Sequence, residues 1–156
     1  MSQSMYPNRE ENCMEAFTYK LKTPMITGGR SHIPLADTER MSVAINYYSV
    51  GRKNKLHAHF GEDHTFIVLD GQATFYNKEH QPKILNKGEA IMLPAGVYYY
   101  FENSGTVPLA LLRVSALEGK PEFTRMDTEG NRRTEAESAY ITVDGEPIDG
   151  QFWEMK

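Results

Sequence analysis

From Arg40 to Ala116 the apolar residues come in short runs rich in Val, Ile, Tyr and Phe, each closed by Gly, Pro, Asn or Asp, and no stretch between them sustains a helical period. The runs MSVAINYYSV (41–50), TFIVL (65–69), QATFY (72–76), AIML (90–93), VYYYF (97–101) and LALLRVSAL (109–117) read as β-strands. Their links are GRKNK, an Asp70-Gly71 hairpin, NKG at 86–88, PAG at 94–96 and NSG at 103–105. Gly, Asn and Asp tolerate the backbone angles a chain reversal needs, which makes these segments turns. No link is long enough for a crossover helix, so the pattern predicts an all-β sandwich or barrel over residues 40–117.

The flanks differ from this core. Residues 1–39 read as an N-terminal arm carrying Pro24, Gly28, Gly29 and Pro34, and residues 118–156 as a polar, acidic extension with Tyr140, Phe152 and Trp153 among its aromatics. Either is expected to pack on the barrel edge or on a neighbouring subunit. At 156 residues the chain has the size of one domain. With 40% hydrophobic and 24% charged residues it has the composition of a globular protein, and a net charge of -4 argues against nucleic acid or anionic membranes as partners. A small-molecule substrate is the expected partner. The single cysteine, Cys13, excludes an intrachain disulfide, and without a signal-peptide pattern or a long apolar run a cytoplasmic location is expected.

Chemistry concentrates in LHAHFGEDHTF (56–66), which holds three of the five histidines. Successive side chains of a strand face opposite ways, so His57 and His59 project from one face while Ala58 takes the other. FGED reads as a turn, after which His64 opens the next strand with Phe66 and Val68 on its face. Three neutral imidazoles meeting inside a barrel suit a divalent first-row transition metal such as iron, nickel, copper or zinc. The competing reading is a solvated hairpin, as single histidines usually occupy. His32 and His80 have no such company, and His80 lies in NKEHQPK, a surface turn by composition.

On these residues the chain resembles the cupins, small jelly-roll (double-stranded β-helix) barrels. Their first motif is matched by Gly51, five residues, His57-Ala58-His59, four residues, His64, six residues and Gly71, except that His64 stands where glutamate is usual. Their second is matched by Gly88, five residues, Pro94-Ala95-Gly96, two residues, Tyr99, three residues and Asn103, with Tyr99 in place of the usual histidine. The resemblance implies a metal held by His57, His59 and His64, with iron(II) favoured and zinc, nickel, manganese or copper as alternatives. Tyr99 would then be a fourth, phenolate ligand, an acid/base group or hydrogen-bond donor to substrate, or packing within Tyr98-Tyr99-Tyr100. Should His64 point outward, Asp63 or Glu62 becomes the alternative donor.

Other polar residues are candidates for the cavity. Arg113 interrupts an apolar strand and would bind a substrate carboxylate or phosphate if it faces inward, or solvent if it lies on an edge. Phe101 shares the face of Tyr99 by alternation, and Asn46 and Tyr48 share a face of their own strand. The resemblance implies a non-haem iron dioxygenase acting on a small carbonyl- or hydroxyl-bearing molecule. A redox-neutral lyase or isomerase, and a non-enzymatic binding cupin, are the alternatives. By the same analogy a homodimer is expected.

Overall fold

The computed structural model describes residues 15–118, 125–131 and 142–156. Among the described residues the regular structure is entirely β. The strands are β1 (Lys22–Asp37), β2 (Met41–Tyr48), β3 (His57–His59), β4 (Glu62–Asp70), β5 (Gln72–Tyr76), β6 (Pro82–Asn86), β7 (Ala90–Leu93), β8 (Tyr100–Asn103), β9 (Leu109–Leu117), β10 (Arg125–Asp127) and β11 (Thr142–Glu154). One sheet runs β11-β1-β2-β9-β4-β7, a second β6-β5-β8, and β10 pairs with β3. Isolated bridges from Lys53 to Glu102 and from His57 to Tyr99 attach the β3 side to β8, so the short sheets form one wall opposite the long one. This is the double-stranded β-helix.

Alternation puts the apolar side chains between the walls. In β4, Glu62, His64, Phe66 and Val68 are buried while Asp63 is exposed and Thr65 and Ile67 are partly so. The interior core joins Phe66, Val68, Leu109 and Leu111 of the long sheet to Ala73, Phe75, Leu85 and Phe101 of the other. Phe66, Phe75 and Phe101 meet with ring centres 4.9–5.5 Å apart. Such aromatic packing fills one end of the barrel and leaves the other to polar side chains. A second cluster, Ile33, Ile45, Leu69 and Ala110, lies with Trp153 on the outer face of the long sheet. It explains why β2 is buried on both faces.

The structure extends the strand list. β1 is hidden in sequence by Pro24, Gly28, Gly29 and Pro34, residues that usually interrupt a strand. Its pairing absorbs them at register shifts, between Pro24 and Ile26 and between Thr27 and Arg30 against β11, and between Pro34 and Ala36 against β2. β6 is an edge strand that begins on its proline, Pro82. Of FGED only Phe60 and Gly61 form the bend, since Glu62 and Asp63 already belong to β4. The run VYYYF is strand only from Tyr100, with Tyr99 held by its bridge to His57.

The β1–β11 pairing is close at Gly29, where an added Cβ would lie 1.6 Å from the Asp144 carbonyl oxygen and 2.4 Å from its carbon. Gly29→Ala is therefore expected to push β11 off β1, lowering stability by about 1–3 kcal/mol. Trp153, the one tryptophan of the chain and part of β11, reports the change as a red-shifted emission. Unchanged emission and an unchanged urea midpoint would contradict the close approach.

Candidate functional site

β3 places His57 and His59 on the same side, facing the barrel interior, and the bridge from His57 brings Tyr99 beside them. His64, on β4, lies across from Leu93 of β7 and Ser115 of β9. The ring centres are 5.0 Å apart for His57 and His59, 5.0 Å for His59 and His64, 4.6 Å for His57 and Tyr99, and 5.4 Å for His64 and Tyr99. Four rings thus surround one small volume, and His57, His64 and Tyr99 are buried.

Hydrogen bonds fix how two of the imidazoles present themselves. His57 donates its Nδ1 proton to the Lys55 carbonyl at 2.6 Å, and His59 Nδ1 lies 3.0 Å from Glu62 Oε1. Each contact places the ring hydrogen on Nδ1, so the lone pair of the neutral ring is on Nε2. This is the orientation that a carbonyl or carboxylate imposes on metal-binding histidines. Burial, reinforced by the charges of Arg125 and His59, holds His57 well below the usual imidazole range. His64 is pushed down to about 2, first by burial and then by Arg113. Both stay neutral in ordinary solution, the form that donates to a metal.

The rings suit a divalent transition metal in kind and spacing. A histidine bound at roughly 2.1 Å through nitrogen has its ring centre roughly 3.2 Å from the ion, so neighbouring ligands stand with centres roughly 5 Å apart. Closure is incomplete: among the described residues no three His, Cys, Asp or Glu side chains are gathered tightly enough to hold an ion as they stand. At His64, Nε2 is 2.9 Å from the Tyr99 hydroxyl, and the buried Nδ1 has no hydrogen-bond partner. Burial pushes the Tyr99 phenol up, so the hydroxyl beside His64 is neutral. A phenolate at this position would require a cation alongside.

The remaining candidates fall into clear places. Arg113 faces inward and pairs with Glu62, which also approaches His64 Nδ1 at 3.7 Å. The carboxylate of the cluster is therefore Glu62, which the motif count does not select. Asp63 is exposed and accepts the Ala95 N–H at 2.8 Å, capping the turn. Asn46 and Tyr48 are buried, Asn46 within 2.9 Å of His32 Nδ1. Phe101 belongs to the packed core. His80 lies in its exposed turn with φ 60. Sequence reading did not single out Arg30, Ser115 and Arg125 and set His32 aside; strand register brings each opposite a candidate residue, Arg30 opposite Tyr48, His32 opposite Asn46, Ser115 opposite His64 and Arg125 opposite His59.

Comparison with known proteins agrees with this architecture. A family model described as a cupin domain matches residues 47–115. An uncharacterised protein of Methanocaldococcus jannaschii is 32% identical over 92 residues, which are 58% of this chain and 68% of that protein. The crystal structure of TT1209 from Thermus thermophilus is 28% identical, with a TM-score of 0.54 over 58% of this chain and 86% of that one. A cupin family protein with a double-stranded β-helix fold, also from Methanocaldococcus jannaschii, has a TM-score of 0.58 at 20% identity, covering 67% of this chain and 94% of that one. The last likeness is one of fold.

Proposed function

The chain belongs to the cupin superfamily, and from that premise we propose that it is a metal-dependent enzyme in which His57, His59 and His64 hold a divalent transition metal, iron(II) being favoured. The observation that carries this reading is the inward-facing set of imidazoles whose Nδ1 contacts, at Lys55 and Glu62, put the lone pairs of His57 and His59 on Nε2. When bound, such an ion supplies Lewis acidity and, as iron, redox chemistry for an oxygenase acting on a small carbonyl- or hydroxyl-bearing molecule. A redox-neutral lyase or isomerase would use the same residues. Tyr99 holds its proton on a hydroxyl at the edge of this set, where it can hydrogen-bond a substrate oxygen or transfer the proton. Phe66, Phe101 and Leu93 seal the barrel beneath and keep water from that end. A small-molecule-binding cupin without catalysis is the second reading, favoured by the Tyr99 contact that engages His64 Nε2.

Metal content of protein purified without chelator, and after iron(II) restoration without oxygen, tests the proposal. His57→Ala and His64→Ala are each expected to reduce occupancy, by at least the roughly tenfold that loss of a supporting outer contact produces. Full occupancy in His64→Ala would remove that residue from the ligand set. No uptake by the unaltered protein would overturn the metal reading. Tyr99→Phe is expected to keep the metal and lose turnover, whereas loss of metal would make the phenol a ligand. Oxygen uptake over diketones, catechols and hydroxy acids separates the oxygenase from the redox-neutral enzyme.

A further inference from the structure

We propose that Ser115 is a positioning residue for His64: its hydroxyl accepts the Nδ1 proton of that imidazole and so keeps the Nε2 lone pair turned towards His57 and His59. The proposal rests on the metal reading above only where it concerns metal affinity, since the hydrogen bond itself belongs to the metal-free protein.

Among the described residues two buried side-chain atoms lack a hydrogen-bond partner, His64 Nδ1 and Ser115 Oγ. They belong to one cross-strand pair, His64 of β4 lying directly opposite Ser115 of β9. Residues so placed share a face, with their Cβ atoms roughly 4.5–5.5 Å apart. Ser115 is in line with Leu109 and Leu111 on the interior face of β9, and both it and His64 are buried. A buried donor or acceptor left unpaired carries its full desolvation cost, and such groups are few in folded proteins. The two atoms are complementary in kind: the imidazole N–H donates, and the hydroxyl oxygen has two lone pairs to accept it. A serine hydroxyl redirects itself by rotation about one side-chain bond, so the pair can close without a shift of either strand.

Two neighbours could compete for these atoms. Glu62 Oε1 lies 3.7 Å from His64 Nδ1, beyond hydrogen-bond range, and it already meets Arg113 and, at 3.0 Å, His59 Nδ1. Ser42 of β2 lies opposite Ser115 on its other side and makes no hydrogen bond to its hydroxyl. At the far end of the ring the Tyr99 hydroxyl is 2.9 Å from His64 Nε2. A phenol donates there when the ring proton is on Nδ1, so an accepting Ser115 and a donating Tyr99 require the same tautomer. His57 and His59 carry their protons on Nδ1 as well, against the Lys55 carbonyl and Glu62. With Ser115 as acceptor, all three rings present Nε2 as the lone-pair nitrogen. An outer contact of this kind fixes the ring orientation of a metal-binding histidine.

The test begins with the full chain, metal-free and isotope-labelled at histidine, whose ring-nitrogen shifts report the tautomer by NMR. His64 is expected in the Nδ1–H form in the unaltered protein, and in the Nε2–H form, donating to Tyr99, in Ser115→Ala. The urea midpoint of that variant is expected to fall, because His64 loses its acceptor; removing a hydroxyl that served nothing would raise it. Cobalt(II), a spectroscopic probe of a divalent site, is titrated against a chelator, and Ser115→Ala is expected to bind it roughly 10–100-fold more weakly. Ser115→Thr and Ser115→Val add similar bulk and differ in the hydroxyl. The Ser115→Thr protein should keep the Nδ1–H tautomer and most of the affinity, and the Ser115→Val protein neither, with circular dichroism confirming that each is folded. An Nε2–H ring in the unaltered protein, an unchanged tautomer or a raised midpoint in Ser115→Ala, or Ser115→Thr and Ser115→Val proteins that behave alike would overturn the positioning role. The two proposals fail separately. No cobalt uptake by an unaltered protein whose tautomer depends on Ser115 sinks only the metal reading, and uptake with a tautomer indifferent to Ser115 sinks only this one.

Discussion

Glu62→Ala is expected to lower the folding free energy by about 3–5 kcal/mol, the range for removing one partner of a buried ion pair. The Glu62 side chain is 2% exposed and that of Arg113 13%, so neither charge is relieved by water. With the carboxylate gone, the Arg113 guanidinium is left between strands whose opposing residues are Ala44 and Phe66, neither of which can accept a hydrogen bond through its side chain. Removing both charges should undo much of the damage. Glu62→Ala combined with Arg113→Met is expected to be more stable than Glu62→Ala alone, because the cost lies in the unpaired charge rather than in the lost attraction. Urea titrations of the two single variants and the double variant measure this. A loss below about 1 kcal/mol in Glu62→Ala, or a double variant less stable than that single one, would show that the pair is not the buried contact described. The variant also removes the oxygen that faces His59 Nδ1, so metal retention should weaken roughly 10–100-fold, as when an outer contact to a metal-binding histidine is lost.

Glu62 also shows what could be read from the residues and what could not. Strand periodicity and turn chemistry are local properties, and they located β2, β5, β7 and β9 within a few residues. Gly51, His57, His59, Gly71, Gly88, Pro94, Gly96 and Asn103 carried the family resemblance because each fixes a local feature of the chain. The site needed distant information. Whether Arg113 faces inward depends on its pairing with Phe66, and whether Arg30 reaches the cavity depends on a bulged strand that its glycines and prolines disguise. The segment FGED read as a polar turn because two of its four residues, Gly61 and Asp63, are turn formers and Glu62 is charged. Its acidic pair divides between faces once β4 begins at Glu62: Glu62 turns in to meet Arg113, and Asp63 turns out to cap Ala95. A one-residue difference in where a strand begins decides which carboxylate faces the histidine cluster.

Acidification from pH 7 to pH 5 is expected to destabilise the metal-free protein by about 4 kcal/mol, about 2 from each of His57 and His64. In the unfolded chain both take up a proton near the ordinary value of 6.5. In the folded chain burial keeps both neutral, with Arg125 and His59 acting further on His57, and Arg113 and His59 on His64. Glu62 opposes the shift at His64 without reversing it, and that histidine stays neutral down to about 2. Below pH 6.5 the unfolded state therefore binds more protons than the folded one, and stability rises with pH. It is complete above that value and declines on acidification through the whole range in which the folded histidines resist the proton. About 4 kcal/mol is a large share of the roughly 5–15 kcal/mol that holds a typical domain folded. Urea midpoints at pH 7 and pH 5 give the loss directly, and His57→Gln and His64→Gln should each remove about half of it, since glutamine does not titrate. An equal fall in both variants and the unaltered protein would place the proton uptake elsewhere. The same burial that excludes protons keeps the imidazole lone pairs available, so the acid-sensitive residues and the candidate metal ligands are one set.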